Sequence, residues 1–133
     1  MKTFDLLKKI PGMRDPDFLR GAKRSNFLFT FADSFETTKP PNILTVIAVP
    51  PRPVLSSRHW LHFITVVKSM RSEYGQIERL AEQLAPAVLQ TGIVPIVEPL
   101  AERELEQMNY DFPVVRAMFD RGSLLYWGAD AEN

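Results

Sequence analysis

The sequence predicts an α/β or α+β fold, a mixed β-sheet with helices packed on it. Three observations carry this. Ile43 to Val49 is nearly continuous in apolar and β-branched residues, the pattern of a strand buried on both faces. From Trp60 to Val88, apolar residues (Phe63, Ile64, Val67, Met70, Tyr74, Ile77, Ala81 and Leu84 between them) recur every three or four positions, as in an amphipathic helix. Short strand-like runs at Ile93–Val97 and Leu124–Trp127 alternate with helix-like segments. The 133 residues fit one domain spanning 1–133, large enough to bury a core without staples.

Taken in order, Phe4, Leu6, Leu7 and Ile10 have helical spacing and Pro11-Gly12 ends that helix. Asp15-Pro16-Asp17 reads as a helix start, with a capping carboxylate, Pro at the first helical position and a second acid near the positive end; the helix runs to Lys23 or Arg24. Asn26 to Phe31 is a short aromatic-rich run, predicted as a strand. Ala32 to Lys39 is a short helix or turn, and Pro40-Pro41 stiffens the approach to the Ile43–Val49 strand.

Pro50, Pro51 and Pro53 make a rigid loop, and Ser56 or Ser57 caps the Trp60–Leu84 helix, which Gly75 bends or splits and Pro86 ends or distorts. Pro95 inside the Ile93–Val97 strand argues for an edge position or a bulge. Glu102 to Met108 and Val114 to Arg121 are helical, with Gly122 placed to close the second helix before the last strand. The acidic residues after Gly128 form a flexible tail.

Composition narrows function. There is no cysteine, so disulfides, thiolate metal sites and a Cys nucleophile are excluded. No apolar stretch approaches the roughly 20 residues a membrane helix needs, which predicts a soluble, cytoplasmic protein without a membrane partner. Zero net charge argues against a nucleic-acid partner. The charge is nonetheless uneven: residues 1–24 carry seven Lys or Arg against three Asp, and the chain from Glu98 onward carries eight acids against three Arg. Solvated helix faces account for this, and head-to-tail self-association is the alternative.

Leu28-Phe29-Thr30-Phe31, a linker of ten residues, then Asn42-Ile43-Leu44 opening a strand, has the layout of a nucleotidyltransferase active site. The chain resembles a minimal nucleotidyltransferase of the DNA polymerase beta superfamily. In that family a strand ends in Leu-Phe-Gly-Ser and a second strand opens with Asp-x-Asp, whose carboxylates hold magnesium. Laid over this chain, Gly-Ser falls on Thr30 and Phe31, and the aspartates fall on Asn42 and Leu44. The likeness continues through Gly92 to Leu100, where the third carboxylate belongs on a strand reading Ile93 to Val97 and only Glu98 stands nearby. It ends in Phe112-Pro113-Val114 through Tyr126, similar to the family's Pro-Phe-Leu-x-x-Ile-x-x-Glu-Gly-Val-x-Leu-Tyr type of ending.

The resemblance implies a degenerate site. Two-metal phosphoryl transfer needs clustered anionic oxygens that hold ions about 3.5–4 Å apart. A neutral amide and an isobutyl group supply none. A phosphate approaches the backbone most closely where there is no side chain, and Thr30 and Phe31 put a branched side chain and a ring there. The expectation is a pseudoenzyme: no catalytic residues, metal or cofactor, no nucleotide binding, and a binding or regulatory role through a protein partner or a homodimer. An active divergent enzyme would have to use Asp33, Glu36 and Glu98. An unrelated small α/β interaction module is the third reading.

Other chemistry is weaker. His59 and His62 are three apart without a neighbouring carboxylate in sequence, and are read as partly exposed helix residues. Asp33 and Glu36 read as surface carboxylates. Arg20, Lys23 and Arg24 beside Phe27 and Phe29 resemble a basic-aromatic surface, but aromatics in such runs more often form core. No serine sits in a Gly-x-Ser-x-Gly elbow, and no Walker or Gly-x-Gly-x-x-Gly sequence occurs.

Overall fold

The strand Ile43–Val49 (β1) lies inside a four-stranded sheet and is buried at all seven positions, as its unbroken apolar run predicts. The computed structural model describes residues 3–12, 22–49, 60–69, 78, 82, 85, 88, 89, 92 and 94–128. Within them the other strands are Trp60–Val67 (β2), Val94–Ala101 (β3) and Ser123–Trp127 (β4), in the order β3-β2-β1-β4. β1 pairs antiparallel with β2 and with β4, while β2 and β3 run parallel. The result is an α+β protein with a mixed sheet.

Alternation along β1 sends Ile43, Val46 and Ala48 to one face and Leu44, Ile47 and Val49 to the other, and each set enters a separate core. The first face is covered by the helix Ala22–Thr38 (α2). Its Phe27, Leu28, Phe31, Ala32 and Phe35 repeat at helical spacing and pack on Phe63, Val67, Leu125 and Tyr126. The second face is covered by the short helix Thr3–Leu6 (α1) with its 3-10 turn Leu7–Lys9, and by the helices Glu102–Glu106 (α3) and Pro113–Arg121 (α4). Phe4, Leu7, Ile10, Leu105, Val115 and Met118 fill that core.

Two predicted elements are wrong. Asn26 to Phe31 is not a strand; it belongs to α2, which also continues past the expected end at Lys23 or Arg24. Trp60 to Val67 is not the start of a long helix but a strand between β1 and β3. The sheet neighbours of β1 are therefore β2 and β4, and its first face is covered by α2, joined there by Val88 of the later helical segment. Helix does occur later in that segment: Glu78, Glu82, Ala85, Val88 and Leu89 are helical. Gly92 closes it at φ +73°, a left-handed value glycine adopts without strain, with its N–H donating to the Val88 carbonyl at 2.8 Å.

The edge position predicted for Pro95 is observed, since β3 ends the sheet. Pro95 and Pro99 share one side of that strand by their even spacing and remove two ladder donors. At the opposite edge, the Leu124 N–H donates to the Pro11 carbonyl at 2.9 Å and Gly12 bridges Leu124. Gly122 does follow α4 but not as a left-handed cap: its φ is −74°. A Cβ there would lie 2.4 Å from the Met118 carbonyl oxygen and 2.8 Å from Ile47 Cγ2, so close approach is what requires glycine. The Asp15-Pro16-Asp17 start, the Pro50–Pro53 loop, the caps at Ser56 or Ser57, Gly75, Pro86 and the tail after Gly128 lie outside the described residues.

Candidate interaction surface

The positions matched to the nucleotidyltransferase motif do not meet. Thr30 is exposed on α2, and Phe31, one residue on, is buried in the core of the first face. Leu44 is buried in the core of the second face, across the sheet. Asn42 does local structural work: its Nδ2 donates to the Ser69 carbonyl at 2.8 Å, its Oδ1 accepts from the Ser69 N–H at 3.3 Å, and its carbonyl accepts from the Lys68 N–H at 2.9 Å. These bonds prolong the β1–β2 ladder by a residue.

The displaced acids are also divided. Asp33 and Glu36 are exposed on α2, over the first face. Glu98 shares the parity of Leu100 along β3 and so belongs to the second face. There it meets His62, Oε2 to Nε2 at 2.8 Å, with both side chains solvent-accessible. This corrects the reading of His62 as a helix residue without a carboxylate neighbour: β2 and β3 are parallel and adjacent, which brings together residues 36 positions apart. His59 lies outside the described residues. Among the described residues no group of three or more His, Asp or Glu is arranged to hold a metal.

The most ordered exposed chemistry is on α4 and the turn before it. Asp111 N–H donates to Asn109 Oδ1 at 2.9 Å and Phe112 N–H to the Asn109 carbonyl at 3.1 Å, a side-chain and backbone turn that delivers Pro113 to the first position of α4. The turn leaves Tyr110 52% and Phe112 44% exposed. Tyr110 is nevertheless held on three sides. Its hydroxyl donates to Asp120 Oδ1 at 2.5 Å, the Arg116 guanidinium lies 5.9 Å from its ring centre, and Phe119 packs at 6.3 Å between centroids. The bond to Asp120, ahead of desolvation and of the charge on that carboxylate, pushes the phenol above its ordinary value near 10, while Arg116 pulls the other way.

Beside Tyr110, an open groove of about 200 Å³ is lined by Pro113, Arg116, Ala117, Asp120 and Arg121, a single stripe of α4 at helical spacing. Arg116 Nη2 lies 3.9 Å from Asp111 Oδ1 at the rim. The Arg121 guanidinium has no hydrogen-bond or ion-pair partner among the described residues. Sequence reading missed this surface because Tyr110 and Asp120 are ten positions apart and join only through the turn into α4. The available signal was Asn109 followed by Pro113, which marks a turn feeding a helix between two aromatics.

What the fold and surface define is an α+β protein with a mixed sheet and a preorganised aromatic and ionic patch on one helix. No family model matches the chain, and no curated protein or solved structure shows a significant match to it. Among the described residues no helix is long and apolar enough to cross a membrane.

Proposed function

We propose that the chain is a non-catalytic binding module, a nucleotidyltransferase-like domain without the metal site, which acts through a protein partner or a second copy of itself. The observation that supports it is the division of the motif positions. Phe31 and Leu44 are packed into cores on opposite faces of the sheet, and the Asn42 amide is committed to Ser69. A triphosphate with about four negative charges needs bridging cations held by converging carboxylates. Asp33 and Glu36 lie over one face and Glu98 over the other, so the displaced-acid alternative has no common cleft. The first strand of the family layout is helical in this chain, so the resemblance is carried by the remaining stretches, Asn42 to Val49, Gly92 to Leu100 and Phe112 to Tyr126.

Calorimetry with each nucleoside triphosphate, with and without magnesium, tests this reading. No magnesium-dependent heat of binding is expected. Micromolar affinity abolished by a chelator would overturn it, and Asp33→Asn, Glu36→Gln and Glu98→Gln would then identify the ligating acid.

A further inference from the structure

We infer that the Tyr110–Arg121 surface is a two-fold interface, and that its occupant is the same surface of a second copy of this chain. The inference rests on the binding-module reading and names its partner. Around the groove stand two cations, Arg116 and Arg121, and two anions, Asp111 and Asp120, so the patch has no net charge and carries its own complement. A two-fold axis brings a patch against itself, and only a self-complementary patch satisfies that operation. An acidic or a basic peptide meets two like charges here as well as two opposite ones. A second copy presents two Asp for these two Arg and two Arg for these two Asp.

Preorganisation points the same way. Exposed tyrosines lose rotamer freedom on docking. Tyr110 is already fixed by Asp120, Arg116 and Phe119 while half exposed. Phe112 adds an exposed ring on the same turn, and Tyr, Phe and Arg are residues enriched at the cores of interfaces. Sheet extension is a poor competing route, because Pro95 and Pro99 leave β3 without two N–H donors and the Pro11–Gly12 segment sits against β4.

Sedimentation of the intact chain from low to high micromolar concentration tests the proposal, with charge reversals as probes. The unaltered protein is expected to dimerise. Arg116→Glu with Arg121→Glu leaves four negative charges in the patch, and Asp111→Arg leaves a net positive one; each alone should raise the dimer dissociation constant at least about tenfold through like-charge contact. Mixed together, the two variants should form a heterodimer, which a merely structural role for these residues does not produce. Circular dichroism and thermal melts close to those of the parent establish that the variants fold, as expected for exposed Asp111 and Arg116 and half-buried Arg121 at the rim of the groove.

A monomer at every concentration overturns the inference. So does a dimer indifferent to both reversals, or reversals that fail to pair when mixed. Those outcomes leave the non-catalytic reading intact, whereas magnesium-dependent triphosphate binding overturns that reading and says nothing about this patch.

Discussion

Phe31 lies nearly parallel to Phe63, with ring centroids 4.3 Å apart and planes inclined by 8°, and this stack joins α2 to β2 over the first face of the sheet. It is the middle of a longer run: Phe27 reaches both rings, Phe35 packs on Phe31 at 4.9 Å, and Tyr126 of β4 stacks on Phe35. Phe31→Ala or Phe63→Ala should each cost about 3–5 kcal/mol, because both rings are fully buried. The double variant should cost less than the sum of the two, since one stack is counted twice. Denaturant midpoints that do not move would show that the stack is not part of the core.

Two buried threonines should respond in opposite directions. Thr65 Oγ1 is buried without a hydrogen-bond partner among the described residues, whereas Thr45 Oγ1 donates to the Tyr126 carbonyl at 2.7 Å. Thr65→Val keeps the shape and removes an unsatisfied hydroxyl, and should stabilise by about 1 kcal/mol; Thr45→Val removes a made bond and should destabilise by about as much. Chemical denaturation of both variants is the check, and equal shifts of the same sign would refute the assignment.

Glycine is needed at one turn and not at another. Gly122→Ala drives a methyl into the Met118 carbonyl and Ile47, and should destabilise by about 1–3 kcal/mol. At Gly12 the nearest atom to an added Cβ is 3.9 Å away, so Gly12→Ala should change the melting temperature little.

Tyr110 supplies a pH signature. Its folded phenol is raised above the unfolded value near 10, so its contribution to stability is complete below that pH and is lost as pH rises through the raised folded value. Ultraviolet titration of the parent against Tyr110→Phe should show that the Tyr110 phenol ionises late. Asp120→Asn should bring it back toward the ordinary value, and Arg116→Ala should move it further up. An unchanged titration curve in Asp120→Asn would mean the pair is not formed in solution.

The sequence was most legible where an element had one interpretation. β1, the helices after Leu100 and the last strand have boundaries set by prolines, acids and glycine, while β3 keeps its edge proline but runs four residues past the expected end at Val97, to Ala101. The two errors share a physical origin. A strand buried on both faces is apolar at almost every position, so the Trp60 to Val67 run satisfies the three-and-four spacing of a helix without being one. Conversely, Phe27, Phe31 and Phe35 hold true helical spacing, but taken six residues at a time the segment displays only its aromatic content. Thr30 and Phe31 were matched to the family motif through that misplaced strand. The α4 surface depends on contacts across a turn and left almost no local trace.

The placement of β1 has a consequence for how the protein is made. One flank of this strand is closed by β2, which follows it in the chain, and the other by β4, with Thr45 bonded to a residue 81 positions later. At about 5–20 residues per second of translation, β1 spends roughly 4–16 seconds outside the polymerising centre before its second neighbour is made. Through that interval an apolar strand with bare amides and carbonyls is presented to the cell. Ribosome-bound holding factors would find their substrate there, and slowing synthesis between β3 and β4 should lower the yield of folded protein more than the same delay placed before β1.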